Sequence, residues 1–289
     1  MNDLPDYLIQ THCLTLSPIK LFADDLKMYH TVNTLADAMY FQSILNSIQE
    51  WCVASQLSVN IEKCCMLHIG KTNHRYSYGL NGLRLPTPEL VKDLGVLIDS
   101  SLLFSSHIDS IISKARRRCA LYFKSFLSRD LSTMKQFYII YVRPILEYGS
   151  TVWNPLSQTQ INALEKVQRF FTNRIPGCTF LPYSRRLSIL SLDSLQKRRT
   201  VADLVCVHSI VSGSLTTFLT PHLLFEPPSI TRGHNLRLIR PILKLSQSYQ
   251  NLISRTAPVW NKLPTSILSA NSRLLFRKRL SLYCVDPCK

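Results

Sequence analysis

The sequence predicts an α+β fold, carried by its hydrophobic patterning and a hairpin signal, with a change of charge at the same boundary. Near residue 100 the hydrophobic pattern changes from short apolar runs punctuated by turn residues to long stripes at helical spacing. The charge changes at the same place: residues 1–100 hold 7 Lys and Arg against 10 Asp and Glu, whereas residues 101–289 hold 27 against 8. Asn81-Gly82, set between apolar residues, is a two-residue hairpin signal, because both residues tolerate positive φ. The front therefore reads as short antiparallel strands with one packed helix, and the back as mainly helical.

Taken in order, LFADDLKMY (21–29) sets apolar residues on both sides of Asp24-Asp25 and predicts a tight hairpin with the two acids at its turn. A helix follows from Thr34, with Asp37 three residues on completing a variant capping box and Phe41, Ile44, Leu45, Ile48, Trp51 and Cys52 on one face. LSVN (57–60) and CCMLHIG (64–70) read as short strand-like runs separated by Ile61-Glu62-Lys63. YSYGLNGLRL (76–85) carries the hairpin turn, and VKDLGVLID (91–99) reads as one more apolar strand. Beyond residue 100, Phe104, Ile108, Ile111, Ile112, Ala115, Cys119, Tyr122, Phe123 and Phe126 form one apolar stripe, with Lys114, Arg116, Arg117 and Arg118 largely off it. Further helices are predicted over about 131–141, with Pro144 soon after, over 158–174, ended by Pro176-Gly177, and over 193–211. After Gly213 the text is loop-like, with Pro221, Pro227 and Pro228, until a last basic helix over 272–283.

A hydrophobic content of 46% with 18% charged residues excludes a disordered chain. Nine cysteines, at positions 13, 52, 64, 65, 119, 178, 206, 284 and 288, form an odd, unpaired set that predicts a reducing, intracellular setting, the nucleus included. The start, MNDLPDYLIQ, is acidic and broken by Pro5, so it is no secretory signal. The longest uncharged run, 204–225, contains His208, Gly213, Pro221 and His222, and no membrane span is predicted. The basic back half points to RNA or DNA, whose phosphates attract Lys and Arg without sequence preference. A solubilising surface or an anionic membrane contact are the other readings of such a charge.

Two adjacent carboxylates at an exposed turn repel one another and call for a positive partner. Mg²⁺ is the natural one, since it prefers oxygen ligands and two such ions stabilise the attacking and leaving oxygens of a phosphoryl transfer. An Asp-Asp pair alone is a weak signal, since most such pairs are ordinary surface turns. The helix of Lys114, Arg116, Arg117 and Arg118 can bury one face and lay cations along a phosphate backbone, or simply be solvated. Trp51, Trp153 and Trp260 read as packing residues rather than base-stacking platforms.

Phe22-Ala23-Asp24-Asp25 followed by Leu26-Lys27-Met28-Tyr29 resembles the acidic hairpin of reverse transcriptases from non-LTR (LINE-type) retrotransposons, particularly the Jockey-like group. The resemblance continues in the family's order through EWCVASQLSVNIEKCCMLHIG, YGLNGLRL and VKDLGVLID, then VRPILEYGSTVWNP, LEKVQRFFTNRIPG, RRLSILSLDSLQKRR, TRGHNLRL and APVWNKLP. It implies a partial palm over 1–100, a helical thumb-like region over 101–176 and a basic, mainly helical C-terminal region over 177–289. It makes Asp24 a ligand of catalytic Mg²⁺ and Asp25 a supporting acid of the same hairpin, with template-primer RNA and DNA as partners. Lys63 would donate a proton to the leaving pyrophosphate or help place the nucleotide; an exposed turn lysine accounts for it equally. Leu94 and Gly95 would belong to the hairpin that grips the primer end, although ordinary core packing gives the same pattern.

In that family a further metal-binding Asp, the fingers and a Gly-rich segment all precede the acidic hairpin. Here only twenty residues precede Leu21, and Met1-Asn2-Asp3-Leu4-Pro5 resembles the segment just after the Gly-rich motif. Asp3 and Asp6 do not match the missing ligand. The expectation is a truncated reverse transcriptase without polymerase activity of its own, since pre-organised positioning is most of such catalysis. Cys284 and Cys288 have no His between or after them, so no structural zinc is expected. The alternatives are a non-catalytic RNA- or DNA-binding protein that uses only the basic helices, and a reading frame without function.

Overall fold

The computed structural model describes residues 3–12, 19–70, 72–155, 157–215, 217, 223–227, 235–240 and 251–283. Helices and short antiparallel strands are mixed, compatible with the α+β expectation, and the chain divides into two compact units, Met1–Leu102 and Leu103–Lys289.

The first unit is organised by α2 (Leu35–Ala54). The Asp37 carboxylate accepts from the backbone N–H of Thr34 at 2.8 Å and of Asn33 at 2.9 Å, while the Thr34 hydroxyl accepts from the N–H of Asp37 at 3.2 Å. Those backbone donors hold the Asp37 carboxyl below its ordinary value. Thus the capping box forms as its residues require, and α2 buries Phe41, Ile44, Leu45, Ile48 and Trp51, with Cys52 partly covered. Helix α1 (Leu4–His12) adds Leu4 and Leu8 to the same core. No element was expected there, because Pro5 read as a breaker. In the first turn its missing N–H has no intrahelical acceptor to lose.

Three separate antiparallel hairpins complete this unit: β1 (Ile19–Phe22) with β2 (Asp25–Met28), β3 (Gly79–Leu80) with β4 (Leu83–Arg84), and β5 (Leu90–Asp93) with β6 (Val96–Asp99). Asn81 and Gly82 take φ of +52° and +74°, the type I′ pair that matches strand twist. Gln42 fastens this hairpin to α2, donating to the Gly79 carbonyl at 2.8 Å and accepting from its N–H at 2.9 Å. Two expectations need correction. VKDLGVLID is not one strand but a hairpin, because Leu94 and Gly95 take φ of +43° and +89° and reverse the chain. LSVN and CCMLHIG pair with no strand among the described residues: Met66 N–H to Pro86 O (2.9 Å) and Gly70 N–H to Ser100 O (3.3 Å) are isolated bonds that do not extend into a ladder. Between them Ile61–Lys63 winds into a single 3₁₀ turn.

The second unit is helical: α3 (Ser105–Ser125), α4 (Leu131–Phe137), a π turn (Tyr138–Val142), α5 (Arg143–Glu147), α6 (Ser150–Trp153), α7 (Gln158–Thr172), α8 (Tyr183–Leu190), α9 (Leu195–Val211), α10 (Leu252–Trp260), α11 (Thr265–Leu268) and α12 (Arg273–Leu282). Helices α3 and α7 run parallel. Gln160 donates to the Ser105 hydroxyl at their N-terminal ends (3.0 Å), and Phe123 meets Phe170 and Phe171 at their C-terminal ends, with ring centres 6.1 and 5.4 Å apart. Tyr122, Phe137, Tyr138 and Phe171 pack around this pair. A further core gathers Leu204, Val207 and Ile210 of α9, Ile253, Ala257 and Trp260 of α10, and Phe276 and Leu280 of α12. All three tryptophans are buried packing residues.

The helix expected over 131–141 does not stop there. Pro144 has no N–H for the Ile140 carbonyl and would collide with it in an unbroken α ladder, so the π turn opens the ladder and α5 continues with Pro144 in its first turn. α10 and α11 form where a loop was expected. Pro258 lies inside α10 and masks a helix whose Ile253, Ala257 and Trp260 are nonetheless at helical spacing. Pro221, Pro228, Cys284, Cys288 and residues 231–234 of TRGHNLRL lie outside the described residues. No helix among the described residues is long and apolar enough to cross a membrane.

Candidate active-site hairpin and nucleic-acid interface

In the first unit, Phe22 pairs with Asp25, which leaves Ala23 and Asp24 as a two-residue loop. A loop that short needs a primed turn to follow strand twist, and the structure supplies it with Ala23 at φ +54°. A left-handed alanine costs about 1–2 kcal/mol. The strain places two successive carboxylates, Asp24 and Asp25, in solvent at the tip of a hairpin whose Leu26 and Met28 pack on the α2 core.

Two residues along β2, on the strand side that Asp25 occupies, Lys27 pairs with Asp93 at the end of β5. The next two residues are Leu94 and Gly95, so this ion pair ties the acidic hairpin to the β5–β6 turn. The structure thus brings Asp24, Asp25, Leu94 and Gly95 onto two hairpins joined by one salt bridge. Lys27 and Asp93 escaped the sequence reading. The available signals were the spacing of Lys27 from Asp25 and the position of Asp93 just before a turn glycine. Lys63, the last residue of the 3₁₀ turn, is exposed, and no ion pair joins it to Asp24 or Asp25 among the described residues.

Hard carboxylate oxygens suit Mg²⁺. Their number is small: among the described residues no group of three or more His, Cys, Asp or Glu could hold a metal ion. An ion at this turn would need waters and substrate phosphates to complete six positions.

In the second unit, α3 buries Ile108, Ile111, Ile112, Ala115, Cys119 and Tyr122 and exposes Lys114, Arg116, Arg117 and Arg118. Burial pushes the Cys119 thiol up to about 12, so it stays an inert thiol. Lys166 and Arg169 are exposed on α7. The remaining charges of this unit include a buried lattice. Arg255 grips Asp203 through two bonds of 2.7 and 2.9 Å and donates to the Thr151 carbonyl at 2.6 Å. Asn154 donates to Asp203 at 2.8 Å and accepts from buried Arg199 at 3.2 Å. Next to it Tyr138 donates to Gln168 at 2.5 Å, Gln168 donates to the Tyr183 hydroxyl at 2.8 Å, and Tyr183 donates to Glu165. Burial and the Glu165 carboxylate push the Tyr183 hydroxyl far up, so it stays a donor.

This chain is partially homologous to RNA-directed DNA polymerases of mobile elements. It is 28% identical over 174 residues to the RNA-directed DNA polymerase from mobile element jockey of Drosophila funebris, covering 58% of this chain and 19% of that protein. It is 25% identical over 170 residues to the probable RNA-directed DNA polymerase from transposon X-element of Drosophila melanogaster, covering 56% and 18%. An uncharacterised protein of Caenorhabditis elegans is 32% identical over 126 residues, 43% of this chain and 64% of that one. The chain thus spans about a fifth of the length of the polymerases it matches. No family model matches it, and no solved structure matches it significantly.

Proposed function

We propose that this chain is a portion of a non-LTR retrotransposon reverse transcriptase, from the later palm through a thumb-like region to a basic C-terminal region, and that it engages template-primer RNA and DNA. The observation that carries this reading is the exposed Ala23-Asp24-Asp25 turn, locked to the Leu94-Gly95 turn by Lys27 and Asp93. Homology to the jockey and X-element polymerases supports it. In this reading Asp24 ligates Mg²⁺ with Asp25 in support, and a bound ion stabilises the oxygens of nucleotidyl transfer. Leu94 and Gly95 bear on the primer end, and Lys63 serves the incoming nucleotide. Lys114, Arg116, Arg117 and Arg118 neutralise phosphates.

Two carboxylates are too few to hold the paired cations of such a reaction without further ligands. The expected result of a primer-extension assay with Mg²⁺ or Mn²⁺ is therefore no synthesis by this chain alone. Template-dependent synthesis abolished by Asp24→Asn would overturn that expectation and establish an active polymerase. A second reading, a non-catalytic nucleic-acid-binding protein, is favoured by the concentration of 27 Lys and Arg against 8 acids beyond residue 100. Both readings require binding with a steep salt dependence. They part if adding a polypeptide with the family's fingers and upstream Asp restores synthesis, which only the first allows.

A further inference from the structure

Because α3 and α7 run parallel, the loops that leave them emerge at the same end of the second unit. That end is apolar where it should be polar. Leu127 is 99% exposed and Phe180 97%, with Phe126 and Phe170 about half exposed. Arg174 lies over Phe170, its guanidinium carbon 3.6 Å from that ring centre and 5.7 Å from that of Phe123, while it donates to the Phe170 carbonyl at 3.1 Å. The loop that carries Phe180 is folded back on α7, since Thr179 donates to the Asn173 carbonyl at 3.2 Å. Phe180 itself stands at φ +68°, in a region that bulky side chains rarely enter.

We infer that the shared C-terminal end of α3 and α7 is a stacking platform for unpaired nucleotides, with Phe126, Phe180 and the outer face of Arg174 receiving bases. This rests on the proposed nucleic-acid binding of the helical unit and names the form of nucleic acid that it takes. Charge selects the occupant. Arg116 lies two turns before Phe123 on the same face of α3, and Arg117, Arg118 and Lys124 are exposed on the same helix. A polyanion with exposed π faces satisfies both halves of this surface, for aromatic rings and guanidinium planes accept any base while the cations follow its backbone. A duplex hides its bases and uses only the cations.

The test is binding of the full chain to a fluorescent oligothymidylate and to a duplex of equal length across a salt series. Wild type is expected to favour the single strand. Phe180→Gly with Phe126→Ala should weaken single-strand binding about tenfold, with duplex binding and the salt slope unchanged. Phe180→Gly alone relieves the left-handed backbone and should melt no lower than wild type. Phe126, by contrast, stacks on Tyr122 with ring centres 4.9 Å apart, so if the double variant melts lower, Phe180→Gly by itself carries the test with a smaller loss of single-strand binding. Arg117→Gln should weaken both ligands and lower the salt slope by about 1. If the aromatic variants bind the single strand as wild type does while Arg117→Gln weakens it, the platform is refuted and the proposed function survives. If wild type binds neither nucleic acid, the proposed function fails with it. Loss of binding to anionic lipid vesicles, with oligonucleotide binding intact, would mark the patch as a membrane contact and refute the proposal.

Discussion

The two units differ in the feature that holds their special conformations, although the second also keeps Phe104, Phe180 and Ser191 at positive φ. The first stores its cost in the backbone: Ala23, Leu94 and Asn81 all sit at positive φ so that very short loops can hold pairs of strands. The second stores it in buried charge, with Asp203 and Arg199 buried in a helical core and Arg255 paired to Asp203 at its edge. A strained turn is a local device, whereas a buried lattice links α6, α9 and α10 and fails as a whole. The first unit should therefore respond to substitution in small, confined steps and the second in large ones.

The largest expected effect tests that contrast directly. Asp203→Ala leaves the nearly covered Arg255 guanidinium without its carboxylate and should cost about 3–5 kcal/mol, read in urea unfolding. Hydrogen exchange should rise across α6, α9 and α10, and a change confined to residues near 203 would break the comparison. Acid comes next. Burial pushes His107 and His208 below the ordinary 6.5, and His208 donates through Nε2 to the Ala270 carbonyl at 3.0 Å. A depressed imidazole means that the unfolded chain binds the proton first, so stability is full above 6.5 and is lost as pH falls through the folded-state values. Thermal melts from pH 8 to 5 should show the loss in the helical unit, and His208→Gln should flatten it.

Smaller effects belong to the hairpins. Ala23→Gly should raise stability by about 1 kcal/mol by removing the left-handed strain, offset in part by added unfolded-state freedom. A melting temperature below wild type would contradict the strain assignment. Lys27→Met should change stability by less than about 1 kcal/mol, since a quarter of each partner remains exposed. Its value lies elsewhere: amide shifts at Leu94 and Gly95 should move with the substitution, and silence there would dissolve the link between the two turns.

What could be read from residues alone follows from how local the cause was. Thr34 with Asp37, Asn81-Gly82 and the α3 stripe depend on neighbours within a few positions, and each forms as those neighbours dictate. The turn at Leu94-Gly95 came only from the family resemblance, because leucine carries no turn signal and only its hairpin partner compels the positive φ. CCMLHIG has strand-like residues but no second strand among the described residues, which no short window can reveal. Pro5, Pro144 and Pro258 all sit in helices, tolerated by a first turn, a π turn and a packed face in turn. At the site, the acids and the basic helix were legible by composition. Lys27, Asp93 and the aromatic end of α7 were not, because each matters only through a residue distant in the chain.

The wide turn at Tyr138–Val142 has one more consequence. Met134, Tyr138, Val142 and Leu146 are buried and recur at every fourth position, a repeat that slides about 40° per step around an α-helix. One turn with an extra residue takes back much of that slide and keeps all four pointing inward. Deleting exposed Ile140 would restore a uniform ladder and swing everything beyond it by about 100°, turning Leu146 toward water. The helix is therefore a counting device, in which a single residue more or fewer decides which way the following chain faces.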